Sequence, residues 1–472
     1  MKTIQELRQV LHFSDLSSLS ISSVAPIFSV AAAGPAMAQS AGVDVPIAIV
    51  LIAIPFMLCS WIFLSLNQHF PNAGGSYHWS RRILGQNYSN FQAWIVLMAY
   101  FWSIPPILLP AAQFTLSALG IAATPLNSLL LAGFWAIFAV WVLLKGATIT
   151  ARVTQIFLAI EVLSVVFMAV IGYSHWGHAV AGAGSFSFSH IHWAGVVVCM
   201  VVAATVVDGW EIDTYAAEES HKPRLTPGWG GVVGASSVVA YYLLIWPLLL
   251  HQVPLHSLQQ STNSLTLWSA HVAPAFVPWM RIAVISSTAG SLWLTTFILS
   301  RALFAMGRDR TMPRIFMQLN ETRAPHWAIV VPIFLAISVV SLQLFFPSTR
   351  SLFNLVLSAA GFFLVAEFLI DGLNMAYFLS LGRHRWHPHE DGKWSPHRHW
   401  VLFFASIVVV FGLSAVELLF LYYGPLDIAP GIDTTVLVFL VAGVCYVSYL
   451  RWRRHAHQGT FIFETAEERG GL

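Results

Sequence analysis

The chain has 472 residues, 57% of them hydrophobic and only 9% charged, with 23 basic and 21 acidic side chains and a net charge of +2; its mean hydropathy is +0.71. A soluble fold carries about a quarter charged residues to coat its surface, so a cytosolic enzyme, a secreted domain and a disordered chain are excluded. A polytopic membrane protein embedded in a lipid bilayer remains, and the scattered basic residues give no footprint for nucleic acid.

Residues 1–15 are polar and mixed in charge and read as a cytoplasmic N-terminus. The apolar run after them is too long for the h-region of a signal peptide. One crossing takes about 20 apolar residues. On that ruler about twelve spans are expected, near 16–39, 45–67, 91–119, 126–144, 153–173, 194–216, 230–250, 275–303, 328–346, 351–381, 400–423 and 433–450. Their continuous apolarity excludes the alternation of a β-barrel, so the fold class is an all-α membrane protein. With the N-terminus inside, an even helix number places 21 of the 23 basic residues on the cytoplasmic side. Only Arg281 and Arg350 fall on or near the outer face. Both termini, including a polar tail at 451–472, are therefore expected in the cytoplasm. The connections near 174–193, 251–272 and 382–399 are too short for a soluble domain.

The first span contains Ser22-Ser23-Val24-Ala25-Pro26. Pro26 removes a backbone donor and blocks the carbonyl one turn earlier. The sixth span contains Val207-Asp208-Gly209-Trp210-Glu211-Ile212-Asp213. Acids in an apolar run cost about 2.5–3.5 kcal/mol each at a helix centre and are expected to line a cavity. Alone, Pro26 reads as a kink and Gly209 as close helix packing. Jointly, five helices apart, they predict interrupted helices at matching positions of two inverted halves, the sequence pointer to a transporter site at the membrane midplane. The halves are 16–173 and 194–381, with two further helices over 400–450.

Cys59, Cys199 and Cys445 all lie in apolar runs, which argues against a disulfide framework. Histidines crowd two loops: His175, His178, His190 and His192 in one, and His384, His387, His389, His397 and His399 in the other, with His455 and His457 nearby. They read as interfacial side chains rather than metal ligands, although histidine also titrates near neutrality. No cofactor motif is present, and no nucleophile–base constellation inside the spans suggests an enzyme.

Three motifs resemble the amino acid–polyamine–organocation (APC) transporters. Pro71-Asn72-Ala73-Gly74-Gly75-Ser76-Tyr77 with Gly85 is similar to that family's loop after helix two. Ala217-Glu218-Glu219 with Pro223 and Pro227 resembles the end of helix six. Ser300 to Arg310 with Met312-Pro313 resembles the loop after helix eight. They occur in order over about 240 residues. The resemblance implies a LeuT-type fold with five plus five inverted helices and two more. It implies secondary transport of amino acids or amines by alternating access, in a cell membrane expected to be a bacterial inner membrane. It places Ser22, Ser23, Val24, Ala25 and Pro26 on helix one, and Asp208, Gly209, Trp210 and Glu211 on helix six, around the substrate. It further implies an inner gate in which Arg308, Asp309 and Arg310 pair with Glu218 or Glu219; anchoring the helix end is the plain alternative.

Two departures stand out. Val24-Ala25-Pro26 occupies a position that is glycine-rich in many members, which leaves a poorer nest for a carboxylate. Glu161, six residues after Gln155, stands where many exchangers have lysine. An interior with Glu161, Asp208, Glu211 and Glu367 and almost no lysine favours a cationic guest, such as a basic amino acid or putrescine. Glu161, Asp208 and Glu211 are candidates for proton coupling, with sodium at Ser286, Ser287, Thr295 or Thr296 as the alternative. Trp210 is expected to close over a bound amine by cation–π contact, with Tyr100, Phe101, Trp102 and Trp293 as further aromatic candidates. A neutral amino acid permease or an exchanger is the runner-up. A channel or non-cycling receptor is the reading from another class.

Overall fold

The computed structural model describes residues 6–177, 180–184, 190–344, 349–382, 396–428 and 430–456. Lys2, His178, Arg383, His384, Arg385, His387, His389, Lys393, His457 and Arg469 lie outside the described residues.

The described chain is almost entirely helical, with two isolated bridges and no ladder of strands. The first crossing is α1 (Phe13–Val24) and α2 (Pro26–Ala41), followed by α3 (Val45–His69). A short helix, α4 (Gly75–Ile83), precedes α5 (Gln86–Leu119), α6 (Pro125–Leu144) and α7 (Ala147–Ser174). The sixth crossing is α8 (Trp193–Ala204), an unwound stretch, and α9 (Ile212–Tyr215). Then come α10 (Trp229–Gln252), the short α11 (Leu255–Gln260) and α12 (Ser264–Val272), α13 (Val277–Arg308) and α14 (His326–Ser341). The chain ends with α15 (Thr349–Tyr377), α16 (Pro396–Tyr423) and α17 (Ile432–Ala456).

Nine helical stretches among the described residues are long and apolar enough to cross a bilayer, and Trp193–Ala204 and His326–Ser341 are shorter apolar helices. The stretch Phe13–His69 has 57 residues, about 85 Å at 1.5 Å per residue, which is two crossings. A described helix overlaps each sequence-based span, and at 194–216 and 328–346 those helices are shorter than a full crossing. Three details differ. Residues 75–83 and 255–272 form α4, α11 and α12 rather than plain loop. Phe304 to Arg308, beyond the expected span at 275–303, are the last turns of α13.

The surface is what lipid requires. Ile137 on α6 and Phe411 on α16 are each 72% exposed, in a belt of apolar side chains that water would not tolerate over such an area. Cys445 faces outward in this belt, while Cys59 and Cys199 are buried, and all three are free thiols. Inside, α5 packs on α13 and α15, and α1 is wedged between α7, α10 and α13.

Candidate functional site

The first break follows from one missing donor. Pro26 cannot bond to the Ser22 carbonyl, so Ala25 N takes it at 3.1 Å. Ala25 does so in the left-handed region (φ 49°), which costs an L-residue about 1–2 kcal/mol. Pro26 then opens α2, where its fixed φ suits a first helical position. The Val24 carbonyl, which the break frees, accepts from Ser29 Oγ at 3.1 Å.

The second break is longer. Thr205 and Val206 close α8 through tightened bonds to Val202 and Ala203. Tyr242 of α10 donates to the Val206 carbonyl. Gly209 lies at φ +103°, and a β-carbon there would sit 2.9 Å from the Ser23 carbonyl carbon and oxygen and 3.0 Å from Val24 N. Glycine is needed for both reasons. The contact is backbone on backbone: the two breaks touch.

The acids at the second break have different surroundings. Glu211 is fully buried; its Oε2 accepts from Gly209 N at 2.8 Å and its Oε1 from Tyr100 Oη at 2.9 Å. Asp208 is half-buried, and no hydrogen bond from another described residue reaches its carboxylate. Asp213, the third acid, accepts from Gly228 N and Gly231 N and pins the break to the start of α10. Ser23 Oγ is buried with no hydrogen-bond partner among the described residues.

Behind Glu211 lies a second carboxylate. Glu367 Oε1 on α15 accepts from Tyr215 Oη at 2.6 Å and Ser76 Oγ at 2.7 Å, and Tyr100 Oη stands 3.4 Å away. Asp371 follows one turn later and accepts from Asn374 Nδ2 at 2.8 Å. Sequence reading flagged Glu367 but missed Tyr215, Ser76 and Asp371. The visible signal was the spacing of Glu367 and Asp371, one helical turn apart in an apolar run.

Glu161 belongs to a separate clasp. Its Oε2 accepts from Ser287 Oγ at 2.7 Å, and Ser287 Oγ accepts from Phe28 N at 3.1 Å, just after the first break. The residue therefore ties α7 to α13 and α2. Thr296 bonds back to its own helix at Leu292. Ser286 and Thr295 are buried on the same helix.

The aromatic expectations for Trp210, Trp293, Phe101 and Trp102 need correction, whereas Tyr100 donates to Glu211 Oε1. Trp210 does not stand as a free lid: its indole packs edge-on against Phe63 (5.1 Å) and beside Phe368 (5.3 Å) in the core behind the break. Trp293 donates to Thr154 Oγ1 at 3.0 Å and packs on Phe138 and Phe157, turned toward α6 and α7. Phe101 pairs with Trp102, which faces Phe439 of α17.

The face that carries the start of α1 is shut. Val10 N and Leu11 N bond to the Glu219 carbonyl, and His221 N bonds to Leu11 O. Arg301 grips Glu219 in a two-pronged pair at 2.9 and 3.0 Å, and Arg308 grips Glu218 in the same way. Asp309 departs from expectation: its partners include Tyr77 Oη at 3.1 Å and Arg81 at 3.6 Å on α4. Burial first, then the Asp309 carboxylate, push the Tyr77 phenol up, so it remains a donor. Arg301, whose pair with Glu219 helps close this face, was not flagged by sequence reading. Breaking a buried ion pair costs about 3–5 kcal/mol. Glu219→Gln should therefore raise amide hydrogen exchange at Leu11 and His221 by at least about 100-fold; unchanged protection would show that the pair does not hold this face shut.

On the opposite face lies a cavity of about 1340 Å3. Its walls include Gln39 of α2, Gln113 of α5, Asn263 beside α12 and Arg281 of α13. Thr205, at the edge of the second break, lines it too, but the site residues expected from sequence do not.

A model of the family described as "Amino acid permease" matches residues 11–447. The mouse protein "Cationic amino acid transporter 4" is 23% identical over 355 residues, 69% of this chain and 54% of that protein. The "Aromatic amino acid transport protein AroP" of Corynebacterium glutamicum is 27% identical over 176 residues, 36% of this chain and 37% of that protein. The chain spans about half the length of the first relative and less of the second. Both relatives are named as amino acid transporters. With a match over nearly all its length, and an all-helical, multi-span body, the chain belongs to the amino acid permease family.

Proposed function

We propose that this permease is a secondary carrier that moves a cationic amino acid or amine by alternating access, with proton coupling. In this reading the two inverted units, 16–173 and 194–381, each contribute one broken helix to a shared site at 22–26 and 208–211. The observation that carries it is Asp208: a half-buried carboxylate, beside the contact between the two breaks, with no donor from another described residue. In this reading Asp208 takes the side-chain or distal ammonium, a group that leucine and phenylalanine lack, and a solute without it leaves the carboxylate bare. The mouse relative's name agrees with a cationic substrate. A thermal-shift screen with lysine, arginine and putrescine against leucine and phenylalanine tests this. A ligand at 100 times its Kd adds about 2.7 kcal/mol to stability. Stabilisation by the cations is expected; stabilisation by leucine or phenylalanine alone would favour the second reading, a neutral amino acid permease, which the aromatic transporter of C. glutamicum supports.

Glu211 is assigned the proton. Both its oxygens already accept hydrogen bonds, so it holds the break in shape and exchanges a proton without meeting the solute. Glu211→Gln should flatten the pH dependence of uptake in liposomes. An unchanged profile would remove Glu211 from the coupling. The clasp of Glu161, Ser287 and Phe28 is the second coupling candidate, because it senses the position of α2; sodium there is the alternative ion. The many arginines at the gate face support a cytoplasmic placement of that side, which makes the conformation outward-facing.

A further inference from the structure

Glu367 and Asp371 lie one turn apart on α15, both with 0% exposure. Neither is hydrogen-bonded or ion-paired to a Lys, Arg or His among the described residues. One oxygen of each, Glu367 Oε2 and Asp371 Oδ2, is buried with no hydrogen-bond partner. Two bare, buried anions at this spacing would repel strongly, and desolvation of either is costly. A carboxyl that carries a proton removes both problems.

The surroundings join this pair to the substrate site. Tyr100 Oη lies 2.9 Å from Glu211 Oε1 and 3.4 Å from Glu367 Oε1. Ser76 and Tyr215 approach the same Glu367 oxygen. Asn374 Nδ2 bridges Asp371 Oδ1 and Ser80 Oγ of α4, both at 2.8 Å. From Glu367 to Asn374 is about 10 Å of helix, and α4 belongs to the gate face.

We propose that Tyr100, Glu367 and Asp371 form a proton relay between Glu211 and the gate face, separate from the path the solute takes. A proton on Glu211 passes to Tyr100 Oη as the phenol's own proton passes to Glu367. One O–H bond breaks and one forms at the phenol, and no electron changes hands. Glu367, which already meets Ser76 of α4, then hands its proton to Asp371, one turn further along toward Ser80 of the same helix. The pair stores the proton while the solute leaves by its own route.

The proposal rests on the reading of Glu211 as the proton carrier, and its test separates the two. Full-length protein in liposomes is assayed with labelled lysine in counterflow, which needs no net proton movement, and in accumulation driven by a pH gradient. Glu367→Gln is expected to keep counterflow within about 2-fold and lose at least about 10-fold of gradient-driven accumulation; Asp371→Asn serves if the first variant does not fold. A variant equal to wild type in both assays overturns the relay alone. Wild-type counterflow with no response to the gradient overturns both readings. A second arm needs no solute: infrared spectra at neutral pH should show a protonated-carboxyl carbonyl band that Glu367→Gln removes, and an unchanged band overturns the relay whatever is transported.

Discussion

Asp208→Asn is expected to weaken binding of lysine or putrescine by about 100-fold, with neutral amino acids changed little. Truncating one member of a desolvated charge pair costs about 2–5 kcal/mol, and 1.4 kcal/mol is tenfold in Kd. Asparagine keeps the volume and one acceptor, so the loss reports charge. Glu211→Gln should weaken binding far less, because Gly209 N and Tyr100 Oη already occupy that carboxylate. Calorimetric titration of both variants distinguishes the two acids. Equal affinities for wild type and Asp208→Asn would assign the ammonium group to another residue.

Gly209→Ala is the second large effect. A β-carbon there meets the Ser23 carbonyl at 2.9 Å, and a backbone neighbour cannot rotate aside as a side chain can. Positive-φ strain of about 1–3 kcal/mol adds to overpacking of about 1–3 kcal/mol. Transport should fall to background, with lower thermal stability in detergent. Gly431 supplies the control: its φ is +83° but nothing lies within 4 Å of an added β-carbon. Gly431→Ala carries the strain without the clash, so it should retain transport. Equal outcomes for the two variants would show that the contact between the breaks is not what matters.

Both breaks were legible in the sequence because their causes are local. Pro26 lacks a donor wherever it sits in a helix. A glycine between Asp208 and Glu211 in an apolar run is expensive unless the helix opens. The span positions were legible for the same reason, since about 20 apolar residues are the thickness of a bilayer. Contacts across distant segments were not. Tyr100, Tyr215 and Ser76 converge on Glu367 from three other helices, and nothing in their spacing announces it. Trp210 sits next to the expected acids, yet it lies in the unwound stretch, where helical periodicity does not set side-chain direction, and its ring went to Phe63 and Phe368. Asp309 was read with Glu218 and Glu219 from the family resemblance; the fold gives those acids to Arg308 and Arg301 and sets Asp309 against Tyr77 and Arg81 of α4. The polar composition of residues 255–272 read as loop because short helices such as α11 and α12 draw their stability from docking on α2: Ser264 Oγ donates to the Val30 carbonyl at 2.6 Å.

A structure of the protein with lysine or putrescine bound is the most direct measurement. The solute should lie against residues 22–26 and 208–211 together, with an ammonium nitrogen about 3 Å from the Asp208 carboxylate. A solute held only in the large cavity near Arg281, with the space beside Asp208 empty, would contradict a carrier site built from the two helix breaks.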